Sequence, residues 1–169
     1  MLSRRSAILA GAAALAGCGR GGGDAPPRFI TYDGPPVTGI VAWKGRRRMA
    51  VMSGSEALRW WHFDLGFSPE GHKQFEGDGK TPEGQYIIDR KNPRSAYHLS
   101  VGISYPNDRD RAYARALGRN PGGDIFFHGT PHEMQGRPDW TAGCLAITNE
   151  EVEELYAMVP LGTPVLILA

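Results

Sequence analysis

From Val37 onward, apolar positions recur in short alternating runs separated by Gly and Pro, the period of strands rather than helices. "VTGIVAWKGRRRMAVMSG" (37–54) puts Val41 and Trp43 on one strand and Met49 and Val51 on the next, around a turn at Lys44–Arg47. Further strands are expected in "LRWWHFDLGF" from Leu58, "GQYIID" from Gly84, "AYHLSVGISY" from Ala96, "DIFFHG" from Asp124, "CLAIT" from Cys144 and "PVLILA" at the end. Two stretches switch to a helical period. "DRDRAYARALG" starts at Asp108 and stops at Gly118, and "TNEEVEELYAMVP" carries Thr148 and Glu151 at capping-box spacing with Val152, Leu155, Tyr156 and Val159 on one face. Glu150, Glu151, Glu153 and Glu154 read as that helix's solvated side. The pattern predicts a mainly β fold, a small sandwich or partly closed barrel with two or so short helices.

A chain of 169 residues with 41% hydrophobic residues can bury one ordinary core. Its 19 Lys and Arg against 18 Asp and Glu leave a formal charge of +1, so no basic field points to nucleic acid as a partner. The trio Arg46, Arg47, Arg48 is expected at the solvated tip of the first hairpin.

The first residues have a different character. "MLSRRSAILAGAAALAGC" has a charged start (Arg4, Arg5), an apolar stretch from Ala7 to Ala16 and small residues before Cys18, the layout of a secretory signal and too short for a permanent membrane span. Leu15, Ala16, Gly17 and Cys18 resemble the lipobox of bacterial lipoproteins, in which the cysteine is acylated; an ordinary cleaved signal is the alternative. The expectation is a signal over residues 1–18, a flexible Gly/Pro tether over 19–38 ("GRGGGDAPPRF" at its start) and one domain over 39–169, exported and held at a membrane by lipid on Cys18.

If Cys18 carries lipid, Cys144 is a free thiol in an oxidising compartment, which calls for a reason: either catalysis or burial as a small hydrophobe. Cys144 lies 16 residues after His128, each at a predicted strand end, so one loop can return the thiol beside the imidazole. A neighbouring imidazole activates a thiol by taking its proton, and the glycine before Cys144 permits a sharp turn that aims backbone N–H groups at one point. A buried structural pair fits the spacing equally well. His128, His132 and Cys144 form no zinc pattern, and neither a metal nor a cofactor is expected.

"HGT" at 128–130 followed by "TAGC" at 141–144, with "EGDGKTPEGQYII" upstream, resembles the signature of the L,D-transpeptidase catalytic domain, the YkuD family. "NPRSAYHLSVGISYPN" and "DWTAGCLAITNEE" are similar to a branch of lone murein L,D-transpeptidase-like domains, and the likeness runs from about Gly39 to Leu168. The resemblance implies a cysteine acyl transfer on peptidoglycan stem peptides in the periplasm. Cys144 would attack the carbonyl at the L-centre of diaminopimelate, and His128 would move the proton, oriented by the Gly129 carbonyl. Amides of Gly143 and Cys144 would form the oxyanion hole. Thr141 would brace the turn, with Thr130, Trp140 and Ala142 lining the substrate side. Ala142 stands where many members have a second histidine and Ala146 where many have arginine, which leaves a hydrolase acting on cell-wall peptides, or an amidase releasing attached protein, as the alternative to a transferase; a non-catalytic wall-binding module is a third. His98 and His62 are expected to be structural; His72 and His132 are expected as exposed loop histidines, with a place lining the cleft as the alternative, and Arg94 and Ser95, just before a strand, are candidates to meet a substrate carboxylate.

Overall fold

The computed structural model describes residues 24–169; the expected signal, Cys18 and the first residues of the tether lie outside the described residues. Among the described residues eight strands are present: β1 (Gly39–Trp43), β2 (Arg48–Ser53), β3 (Glu56–His62), β4 (Gly84–Ser95), β5 (His98–Ile103), β6 (Phe126–His128), β7 (Leu145–Ala146) and β8 (Pro164–Leu168). They form one mixed sheet in the order β3-β2-β1-β8-β4-β5-β6-β7. The two helices are α1 (Asp108–Ala116) and α2 (Asn149–Met158). The fold is mainly β, as the alternation predicts. The sheet is not closed into a barrel, although past the end of β3 single bridges join Asp64 to Ala146 and Gly66 to Thr141.

Each element sits where its pattern puts it, with local differences. The first hairpin turns through a 3-10 turn at Lys44–Arg46, and Arg47 closes it at φ 49. Arg47 is half-buried and ion-paired, so it is not a solvated tip residue like Arg46. Asn107, one residue before the expected start, caps α1, and Asp110 completes its capping box. Thr148 and Glu151 form the predicted box on α2. That helix lays Val152, Leu155 and Val159, all fully buried, against β5 and β6. Truncating Leu155 there costs about 2–5 kcal/mol in lost burial and cavity.

Glu153 departs from the solvated-face expectation. It is buried, accepts from the Arg28 backbone and side chain at 2.8 and 2.9 Å, and pairs with His98 Nε2 at 2.8 Å. These partners outweigh the cost of burial and hold its carboxyl below the usual range. Because Arg28 binds Glu153 and Phe29 packs edge-on to Tyr156 at 6.0 Å, the chain joins the domain well before Gly39, and the expected tether is not free through residue 38.

Candidate active site

β6 and β7 run parallel, with Phe127 opposite Leu145 and His128 opposite Ala146. Phe127 and Leu145 are fully buried on the core side. Strand alternation therefore sends Phe126, His128 and Ala146 to the opposite face, and Cys144 stands immediately before β7, the strand that pairs with β6. The loop between His128 and Cys144 thus returns the chain to the strand next to the one it left.

His128 is buried and its Nδ1 lies 2.8 Å from the Gly129 carbonyl, which fixes the tautomer with the proton on Nδ1 and leaves Nε2 with its lone pair free to accept. Tyr97 stacks on the ring at 4.6 Å and 25°, and Trp140 meets it edge-on at 5.5 Å. Burial lowers the imidazole below its ordinary value, with the Gly129 bond opposing. The half-buried Cys144 thiol donates to the Asp124 carbonyl at 3.4 Å. Burial pushes it above the ordinary thiol range; Asp124 adds to this, while a Phe126 backbone bond, Lys73 and Arg90 oppose it. Both shifts favour the uncharged forms, so the resting pair is thiol and imidazole, not thiolate and imidazolium.

The turn before Cys144 is fixed by two threonines. Thr141 is buried; its hydroxyl donates to the Cys144 carbonyl at 2.8 Å and accepts the Gly143 N–H at 3.1 Å. Thr81, from the upstream Thr-Pro segment, donates to the Gly143 carbonyl at 2.8 Å. Since a peptide's N–H is trans to its C=O, that bond turns the Cys144 N–H away from Thr81. The Gly143 amide is occupied by Thr141, whereas the Cys144 amide, the other expected oxyanion donor, has no acceptor among the described residues. Gly143 has φ 131, and a Cβ there would lie 2.5 Å from the Lys80 carbonyl, so glycine is required.

Thr130 donates to the Ile147 carbonyl at 2.8 Å and lines a groove of about 550 Å³ that also borders Asp64, Ala146 and the start of α2. Ala142 is exposed at the turn. Trp140 is half-buried, and its indole N–H has no acceptor among the described residues. His98 is structural as expected, through Glu153. His72 binds Asp110 at 3.0 Å and accepts the Glu83 N–H at 2.9 Å, so it holds a loop to α1 instead of facing the thiol. His62 and His132 are exposed, and Arg94 and Ser95 fall inside β4 at its turn end. No His, Cys, Asp and Glu group able to hold a metal occurs among the described residues.

Three groups carry more of the site than sequence reasoning assigned. Tyr97 covers the imidazole. Arg47 and Asp139 form a two-bonded pair at 2.7 and 2.9 Å, and Asp139 also accepts the Leu65 N–H, fixing the residue before Trp140. Buried Lys44 donates to the Thr81 carbonyl and Glu83, which seats the segment that holds Gly143. A lysine in a basic hairpin turn reads as solvated and gives no sequence signal for this.

Known proteins share this arrangement of elements. Residues 38–167 match the family model of the L,D-transpeptidase catalytic domain, YkuD. YafK of Escherichia coli K12, named as an L,D-transpeptidase, is 33% identical over 91 residues, 53% of this chain and 32% of YafK. YqjB of Bacillus subtilis strain 168, so named as well, is 31% identical over 94 residues, 53% of each chain. Among solved structures, the helical cell shape determining protein Pgp2 of Campylobacter jejuni superposes with a TM-score of 0.62 at 23% identity, covering 85% of this chain and 51% of Pgp2. An L,D-transpeptidase of Mycobacterium smegmatis gives 0.52 at 18% identity, covering 77% and 58%. The matches span about a third of YafK and about half of YqjB and Pgp2. With the family model matched over nearly all of the sheet, the chain belongs to the L,D-transpeptidase catalytic domain family.

Proposed function

We propose that the domain transfers acyl groups of peptidoglycan stem peptides through a thioester on Cys144. The observation that carries this reading is the pairing of β6, which ends at the tautomer-fixed imidazole of His128, with β7, which Cys144 directly precedes. Substrate entry turns the thiol from the Asp124 carbonyl to Nε2 of His128. His128 takes the proton as sulfur attacks the carbonyl at the L-centre of diaminopimelate, and the oxyanion is held by the Cys144 N–H. Collapse returns the proton to the leaving D-alanine nitrogen and leaves the thioester, which an amine or water then resolves. Starting from neutral partners, proton transfer accompanies attack instead of preceding it.

Hydrolysis is supported as a second fate by Ala142. A methyl group at the exposed turn offers nothing to hold an acceptor amine, whereas water needs no holder. Lipidation at Cys18 and residence at a periplasmic membrane face belong to the same proposal and would bring the domain to the cell wall. The test is incubation with defined muropeptides and product masses. Joined stems support transfer, shortened stems support hydrolysis, and products that persist with Cys144→Ala refute the nucleophile.

A further inference from the structure

The sheet register sets three residues in one row leading to the site: Arg90 pairs with Gly102, and Gly102 with Phe126. Phe126 immediately precedes Phe127, the partner of Leu145, and Cys144 immediately precedes Leu145. Residues in register on neighbouring strands share a face, about 5 Å apart per strand. Gly102 is the gap in this row. A Cβ there would lie 2.6 Å from Arg90 Cγ, 2.9 Å from its Nε and 2.9 Å from Phe126 Cε1. The missing side chain lets Arg90 lie flat across β5, its guanidinium 4.5 Å from the Phe126 ring centre, on the side of the sheet that continues toward Cys144.

The guanidinium is only partly committed. Nη1 meets both Asp89 oxygens at 2.7 and 2.9 Å and the Ile103 carbonyl at 3.3 Å, and Nη2 meets Asp124 at a long 3.3 Å. Asp124 is 91% exposed, and exposed pairs of this kind exchange partners readily. Nε donates to nothing among the described residues, so the Nε and Nη2 edge is a half-open fork. The other cation near the thiol, Lys73, is buried and bound by the Phe75 carbonyl and Asp78. Ala146, two residues past Cys144, brings no charge.

We infer that Arg90 binds a carboxylate of the acyl donor through this fork and so selects donors, a statement that rests on the thioester reading above. A planar fork fits a carboxylate better than any neutral amide. The two residues flanking the scissile bond of a stem peptide offer one each: the C-terminal carboxylate of the leaving residue and the free carboxylate at the D-centre of diaminopimelate.

Thioester formation on the full chain, followed by intact mass against time, tests this with three donors: both carboxylates free, the C-terminal one amidated, and the D-centre one amidated. One amidation should slow wild-type acylation by about tenfold or more, identifying the carboxylate, and Arg90→Gln should bring free and amidated donors within about twofold of each other. Arg90→Lys, which keeps the charge without the fork, should retain part of the preference, and it decides the matter if the glutamine variant does not fold. Equal acylation by all three donors in wild type, or a preference unchanged by substitution, overturns the inference alone. No acylation by any donor overturns the thioester reading and this inference together.

Discussion

Thr81→Val removes one hydroxyl at constant shape and tests whether the Thr-Pro segment aims the nucleophile's amide. Thr81 is fully buried, and its only hydrogen bond through the hydroxyl goes to the Gly143 carbonyl. The loss of one buried bond, with the carbonyl left unsatisfied, costs about 1–3 kcal/mol. In a domain of this size that lowers Tm by about 3–10 °C. The same change frees the 143–144 peptide to rotate, so the Cys144 N–H no longer points at the developing oxyanion; a displaced donor of this kind costs about tenfold to a hundredfold in rate. The assays are thermal unfolding and acylation of Cys144 by a carbapenem, read by intact mass. Thr81→Ser should restore both. A variant that loses stability yet acylates within about twofold of wild type refutes the reasoning, because the bond would then serve packing only.

Gly143→Ala should abolish acylation and disturb the fold locally, since φ 131 is unfavourable for alanine and its Cβ meets the Lys80 carbonyl; a Tm within about 2 °C of wild type would contradict this. Stability should fall on acidification for two reasons of one sign. His128 has a lowered folded value, so below its ordinary 6.5 the unfolded chain binds the proton first, and Glu153, also lowered, contributes stability above its ordinary 4.5 that is lost as pH falls through its folded value. Urea unfolding between about pH 7 and pH 4 should show this decline, and Glu153→Gln should flatten its lower part. Direct titration of the thiol should find almost no thiolate at neutral pH, because Cys144 is raised above 9.0; substantial thiolate at pH 7 would mean an ion pair at rest.

Much of this was legible in the chain. Alternation at Val41, Trp43, Met49 and Val51, and the Thr148–Glu151 box, report local backbone choices, and these survive folding unchanged. The strand ends that carry His128 and lead from Cys144 were legible as neighbours because one loop joins them. Contacts made across distant segments were not. Glu153 has the sequence of a solvated helix face, and only the arrival of Arg28 and His98 makes it a buried carboxylate. Lys44 and Arg47 sit in a basic turn, yet Thr81, Glu83 and Asp139 draw them inward from residues 37 to 92 positions away. Glycine before the cysteine suggested two oxyanion amides, and the Thr141 hydroxyl, a side-chain choice invisible to spacing, claims one of them.

The central claim, that Cys144 carries the acyl group, is tested most directly by mixing the full chain with a tetrapeptide stem, quenching in acid and mapping the adduct by mass. The account predicts a thioester confined to Cys144 with release of the terminal D-alanine, lost in Cys144→Ala and reduced by at least about a hundredfold in His128→Ala. D-alanine released equally by Cys144→Ala, or an adduct on any other residue, would contradict it.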